Sequence, residues 1–535
     1  MTRRKHWLVV FILALSLAAA PKVPPLFVTS DRCVACHNGI VTQSGEEVSI
    51  GTAWASSMMA NASRDPYWQA SIKRETLDRP AAGAAIEHEC AACHMPMARY
   101  MAKAAGGRGR VFAYLPVTRQ VSGAGLLAAD GVSCAMCHQI GAEKLGRPES
   151  YTAGFVVDTT SEPGSRRIFG PFDIDAGRVS LMRSSAGFRP EKAAHIQSSE
   201  LCASCHTLYT HALNEKAEVV GTLPEQVPYL EWKHSAYSGV RTCQSCHMPV
   251  VEGETPITGI VGKPRQGFSR HVFRGGNFFI PRILGSHRDA LGVTALPLEL
   301  ETGSFRTARH LETEAAAVTV RGGGVENGVL GVEVAVANLA GHKLPSAYPS
   351  RRAWVHLTVR DGSGNLIFES GRLNPDGSIA GNDNDEDGSR FEPHHTEIGR
   401  GDDVQIYESI LAGPGGEVTT GLLTAIRYAK DNRLLPEGFD RAAADQDISV
   451  KGRAAEDADF QGGGDRTRYA VRIGNAGGPF EVRAELIYQP ISYRWARNLE
   501  LRPSAESDRF VSFYTATSKD SAAVLGRAGL TVESP

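Results

Sequence analysis

Cysteine is absent from the second half of this chain. Of 535 residues, 10 are Cys, and the last is Cys246. No disulfide or thiolate metal site can therefore hold the C-terminal half. Charge of one sign is lacking too. Lys+Arg number 57, Asp+Glu 59, and the net charge is -2. No broad field of one sign argues for nucleic acid. Charged residues make up only 22% and hydrophobic residues 42%, which excludes a disordered chain. Aromatics are scarce at 7%, so something other than aromatic rings must fill part of the interior. Beyond the N-terminus no apolar run approaches membrane-spanning length, so no span is expected in the mature chain. The length itself allows several domains.

Arg3, Arg4 and Lys5 precede an apolar stretch from Trp7 to Ala19, closed by Ala18-Ala19-Ala20. This reads as a signal peptide over residues 1–20 and predicts a periplasmic or extracellular protein. Pro21 follows the expected cleavage point, and an uncleaved anchor is the alternative.

Every cysteine belongs to one pattern. It occurs at Cys33, Cys36, His37; at Cys90, Cys93, His94; at Cys134, Cys137, His138; at Cys202, Cys205, His206; and at Cys243, Cys246, His247. C-x-x-C-H is the attachment signature of c-type haem. Two thiols form thioethers with the two vinyl groups of one porphyrin. The next residue is one helical turn from the first Cys, so its imidazole reaches the iron from the same side. Disulfides do not explain the following His, and zinc sites use pairs of Cys pairs or a separate His pair. Five covalent haems, with His37, His94, His138, His206 and His247 as proximal ligands, are the expectation.

Five irons need five further ligands or open positions. Among the non-motif histidines, context favours His271, His195, His234 and His88, in that order. His211 and His287 follow. His271 lies in a Gly-rich turn after the fifth motif, and His234 just before that motif. No non-motif His follows the first motif closely. Met58 and Met59 stand there instead, and a thioether is a legitimate axial ligand.

These motifs resemble the multihaem cytochrome c superfamily, which includes tetrahaem cytochromes of ammonia oxidisers, hydroxylamine oxidoreductase and pentahaem nitrite reductase. The likeness also rests on Met95-Pro96, Met248-Pro249 and Glu231-Trp232-x-x-Ser235, and spans roughly residues 30–280. In relatives, Trp-x-x-Ser-x-His often carries a distal His. Met59 holds that place after Trp54 and Ser57, so the resemblance implies Met59 as a ligand. Nitrite reductase typically has Lys in place of one motif His; here there is no C-x-x-C-K.

The period changes near residue 315. Ala315–Arg321, Val329–Asn338, Arg352–Asp361, Leu366–Ser370 and Phe480–Tyr488 read as strands, with Val332, Val334 and Val336 alternating in one of them. The fold class is α + β multidomain: a mainly helical and loop pentahaem cytochrome c domain over 21–300, then a β-sandwich over 301–535. An immunoglobulin-like sandwich is one arrangement that fits. An irregular insertion is expected around 371–475, and a helix within Glu506–Arg527. The Gly341-His342-x-x-Pro345 segment is similar to one in β domains appended to multihaem cytochromes, which implies His342 as a distal ligand. His356 reads as an ordinary strand residue. Asp383, Asp385 and Asp387, followed by Gly388, match the start of a calcium loop, with Glu392 or Glu397 as further ligands.

The leading function is electron transfer along closely spaced haems to or from a redox partner, which includes another copy of the chain. The alternative is an oxidoreductase with one open iron acting on a small nitrogen or sulfur compound. A filament-forming cytochrome is a third reading.

Overall fold

The computed structural model describes residues 25–121 and 123–533. The expected signal segment, 1–20, lies outside them. The N-terminal half is built from short helices and long connections. Its best-defined helix, Pro66–Asp78, shows why it starts where it does. Asp65 accepts hydrogen bonds from the backbone N–H of Tyr67 and Trp68, and Pro66 occupies the first turn. Its buried face carries Tyr67, Trp68, Ala70 and Ile72. No helix among the described residues is long and apolar enough to cross a membrane.

The C-terminal half holds two larger sheets. The seven-stranded one runs Val418–Thr419, Ile406–Ala412, Arg352–Arg360, Phe480–Gln489, Ala523–Val532, with Leu366–Ser370 and Arg427–Asp431 paired at its side. The four-stranded one runs Glu397–Ile398, Gly464–Arg472, Val329–Asn338, Ala316–Glu326. Leu330, Val332, Val334, Val336 and Asn338 point inward from their strand, as the alternation requires.

Three expectations are corrected. The segment 371–475 is not an insertion: Ile406–Ala412 pairs with Arg352–Arg360 inside one sheet, and Gly464–Arg472 pairs with Val329–Asn338 along its whole length in the other. The expected helix is only Ala505–Thr517; Ala523–Val532 is a strand beside Phe480–Gln489. The boundary at 300 falls inside the helix Pro297–His310, which leads through Leu311–Ala315 directly into the strand Ala316–Glu326. The halves also share one apolar core. Phe278, Phe279, Ile283, Leu284 and Leu300 belong to the same buried cluster as Val334, Val355 and Leu486. Tyr67 meets Phe510 of the C-terminal helix edge-on at 5.1 Å.

Candidate haem-binding centre

Each attachment motif sits on a helical turn. The backbone N–H of His37, His138 and His206 bonds to the carbonyl of the first Cys of its motif, at 3.0, 3.1 and 2.9 Å. The second and fifth motifs lie within the helices Gly83–His94 and Cys243–His247. This four-residue bond stacks the imidazole over the first Cys, so both face one side.

Four of the five imidazoles are oriented by a backbone carbonyl. Nδ1 of His37 donates to Ile257 O (2.7 Å), His94 to Ala62 O (2.9 Å), His138 to Phe169 O (2.6 Å) and His247 to Arg274 O (2.5 Å). A ring that donates through Nδ1 carries its free lone pair on Nε2, the arrangement a metal needs. Burial lowers the pKa of His94 and of His247 to about 4 and also lowers that of His138, so these rings are neutral.

The ten cysteines are all free and half-buried. Thiols from different motifs come close. The thiols of Cys33 and Cys134, of Cys93 and Cys205, and of Cys202 and Cys243 are near enough to influence each other's titration. Burial, and then Cys205, push the Cys137 thiol up to about 12. The first motif thus neighbours the third, the third the fourth, and the fourth both the second and the fifth. Between the cysteines of motifs two, three and four, Ala91, Ala92, Ala135, Met136, Ala203 and Ser204 are buried. In the first motif Val34 is half-buried and Ala35 exposed, and in the fifth Gln244 is buried and Ser245 exposed.

A cavity of about 950 Å³ runs through this cluster and is lined by the cysteines and histidines of the first four motifs, with Gln244 of the fifth. Its walls are largely apolar, including Trp54, Trp68, Phe169 and Phe273. Protein interiors are close-packed, with few voids larger than a water molecule. A space of this size, bordered by paired thiols and Nε2 lone pairs, fits flat apolar groups attached through thioethers. The residues present therefore fit haem.

Metal–imidazole bonds are about 2.0–2.1 Å long. Two imidazoles on opposite faces of one iron would then have ring centroids roughly 6 Å apart, by the same bond length. His138 and His271 are 6.3 Å apart, with planes 18° from parallel. His247 and His342 are 6.2 Å apart and 4° from parallel. Both second rings carry Nδ1 against a carbonyl, Ser269 O for His271 and Lys343 O for His342. At His37, His94 and His206 no comparable imidazole pair is seen among the described residues. His310, not singled out from the sequence, also lies 6.3 Å from His247, at 72°. The available signal was a helix-ending His four residues before Glu314, whose carboxylate lies 3.4 Å from its Nδ1.

The other candidates sit differently. Met58 and Met59 both line the cavity, but Met58 also packs against the main apolar core. His88 accepts a hydrogen bond at Nδ1 from Gly109 N (2.8 Å), which leaves its proton on Nε2. His195 donates through Nε2 to Ile140 O (2.8 Å). His234 pairs with Asp445 at 3.6 Å. His211 bonds Thr222 on a hairpin, and His287 stacks on Phe513 at 3.6 Å. His88, His195 and His234 are thus tied to protein partners in ways that do not present Nε2 to an iron. His356, as expected, pairs with Glu369 across neighbouring strands.

The calcium loop is corrected. Asp383–Glu386 is a short helix, and arginines already neutralise Asp383 and Asp385. Asp385 is buried against Arg352 at 2.8 Å, Asp383 pairs with Arg390, and Asp387 caps Ser389. Glu392 bonds His395, and Glu397 is exposed. A buried group elsewhere, His394 with Asp457 and Asp465, has the residue types of a metal site. Its hydrogen bonds argue otherwise. Gln405 and Asn432 both donate amide N–H to His394 Nδ1 (3.0 and 3.1 Å), so the neutral ring bears its proton on Nε2 and donates to Asp457 at 3.0 Å.

No family model and no curated protein matches this chain. Among solved structures, it is similar to a penta-haem cytochrome c552 from Thermochromatium tepidum, with 15% identity and a TM-score of 0.51. The match covers 95% of this chain and 100% of that one. The chain thus shares its overall fold with a multihaem cytochrome c.

Proposed function

We propose that this chain is an exported pentahaem electron carrier. The observation that carries the reading is that the attachment motifs cluster, with the first four around one cavity and neighbouring thiols in the order first, third, fourth, fifth, the second beside the fourth. Haem bound at these motifs would supply reversible one-electron chemistry. The protein's part is to hold each Nε2 at a fixed place and to keep water away. The carbonyls of Ile257, Ala62, Phe169 and Arg274 do the first. The buried residues within motifs two to four do the second. The exposed Ala35 and Ser245 make the first and fifth motifs the ends at which a redox partner, or a second copy, docks. His271 serves the third iron, His342 the fifth and Met59 the first.

A second reading is an oxidoreductase with an open iron. It is favoured by the absence, among the described residues, of an imidazole facing His37, His94 or His206. Carbon monoxide titration of the ferrous protein separates the two, because it binds an iron only where the sixth position is free. A carrier with all irons closed takes up none promptly, only as slowly as a protein ligand leaves its iron. One equivalent per chain, with a high-spin ferric signal, favours the enzyme.

A further inference from the structure

The strongest unexplained feature is a cluster of four ionised side chains sealed between the two halves. Glu231 belongs to the helix Pro228–Lys233, just before the fifth motif. Lys343 comes from a connection of the β region, Asp431 ends the strand Arg427–Asp431, and Arg433 lies in the connection that follows. Their side chains are 0%, 0%, 1% and 5% exposed, respectively. Arg433 Nη1 lies 3.0 Å from Glu231 Oε1, and Arg433 also forks onto Asp431 through Nε and Nη2, both at 2.8 Å. Lys343 Nζ donates to Asp431 at 2.7 Å. Two acids and two bases cancel, so no net charge is buried.

Replacing such a cluster by apolar residues commonly costs little, so stability alone does not account for it. Its position does. Lys343 directly follows His342. The Lys343 backbone N–H donates to Glu231 Oε2 at 3.1 Å, and Ser346 Oγ donates to the same oxygen at 2.5 Å. On the other side Asn338 Nδ2 donates to His342 O at 2.8 Å, and Leu344 N bonds Leu434 O at 2.9 Å. A Cβ at Gly341 would come to 3.5 Å from Trp232 and Tyr237, so the loop runs close beside them. The loop bearing His342 is therefore fastened on both flanks, and one fastener is a carboxylate from the helix leading into the fifth motif.

We infer that Glu231, Lys343, Asp431 and Arg433 form a positioning lock that holds His342 on the fifth iron, so that seating of the β region sets the coordination of that haem. The inference rests on the ligand reading above. None of the four touches the iron; they act through His342. Charge pairs suit this task because their directions are fixed, whereas apolar contacts allow sliding.

The test uses the full-length holoprotein. In Glu231→Gln, Arg433 loses half of its countercharge, and removing one partner of a buried pair is strongly unfavourable. The expected result is retention of all five haems, with one more high-spin than in the parent and one further equivalent of carbon monoxide bound in the ferrous state. His342→Ala should open the same haem, and the double variant should still bind only one further equivalent. If His342→Ala opens a haem that the parent keeps closed and Glu231→Gln leaves the spin states as in the parent, the lock is wrong and the ligand reading stands. If His342→Ala leaves the spin states as in the parent, both fail, and His310 becomes the ring to test. Should Glu231→Gln not fold, Ser346→Ala removes one bond to Glu231 without uncovering a charge. It should speed carbon monoxide uptake at that haem roughly tenfold, from the worth of a hydrogen bond to a charged group. An unchanged rate in a folded protein would also overturn the lock.

Discussion

The two halves of this chain solve the problem of an interior in opposite ways. The β region fills its own: Trp354, Tyr407, Tyr469, Tyr488 and Phe460 are fully buried side chains there. The attachment region leaves a cavity of about 950 Å³ at its centre, and its own apolar clusters are small, such as Ile40, Val48, Val251 and Phe268. The difference teaches that one half fills its core with polypeptide, borrowing Tyr67, Ala70, Leu223 and Val227 from the other, whose own space fits the haems proposed above. The line between them is not residue 300, because Phe278 to Leu300 already belong to the β-side core.

The largest expected effect comes from withholding haem. A chain expressed without haem attachment should lose order through most of the motif region while the β side keeps its core. Limited proteolysis should then leave a protected fragment that begins near Asn277. A fragment beginning near 301 would restore the simpler division, and loss of the whole chain would show that the β core depends on haem as well.

Next in size is the β core itself. Leu486→Ala should cost about 2–5 kcal/mol, since Leu486 is fully buried and the cavity left cannot fully collapse. Chemical denaturation of the holoprotein would measure it. A loss well under 1 kcal/mol would mean that this sheet is not the main source of stability.

A smaller effect concerns pH. Burial raises Asp465 to about 7, while its hydrogen bonds from Tyr407 and Gln405 work the other way. A carboxyl that holds its proton more tightly when folded loses stability as pH rises from about 4, its unfolded value, to about 7. Burial lowers His394 to about 3, which acts in the opposite sense: stability falls as pH drops from about 6.5 towards 3. Asp465→Asn removes only the first dependence. Its melting temperature relative to the parent should rise between pH 4.5 and 7.5, and a constant difference would show that Asp465 does not titrate there.

The smallest effect leaves both halves folded. Met59→His should lower the potential of one haem and keep it low-spin, because a thioether stabilises ferrous iron relative to imidazole. An unchanged set of potentials would remove Met59 as a ligand and leave Met58 to be tested.

Legibility in the sequence divided along the same line. The attachment motifs were readable because thioether chemistry fixes their spacing, and Val332, Val334 and Val336 were readable because their strand is buried on one face. Ile406–Ala412 was not, because it is buried on both faces and shows no alternation. Gly464–Arg472 was hidden because Asp465 and Thr467 point inward alongside Tyr469 and Val471. At Asp383, Asp385 and Asp387 the residue types suited a cation, but Arg352 and Arg390 supply the charge, and Arg352 lies on a strand that the local pattern cannot place beside them. His342 entered through a family likeness, whereas the lock around it depends on residues as distant as Glu231 and Arg433.

The central claim is that all five motifs carry haem in one connected group. The most direct measurement is the intact mass of the purified protein, with its cysteines probed for free thiols. The account predicts five additions of about 616 Da each, from double thioether attachment at C-x-x-C-H, and no free thiol. Fewer than five additions, or disulfides between thiols such as Cys33 and Cys134, would contradict it.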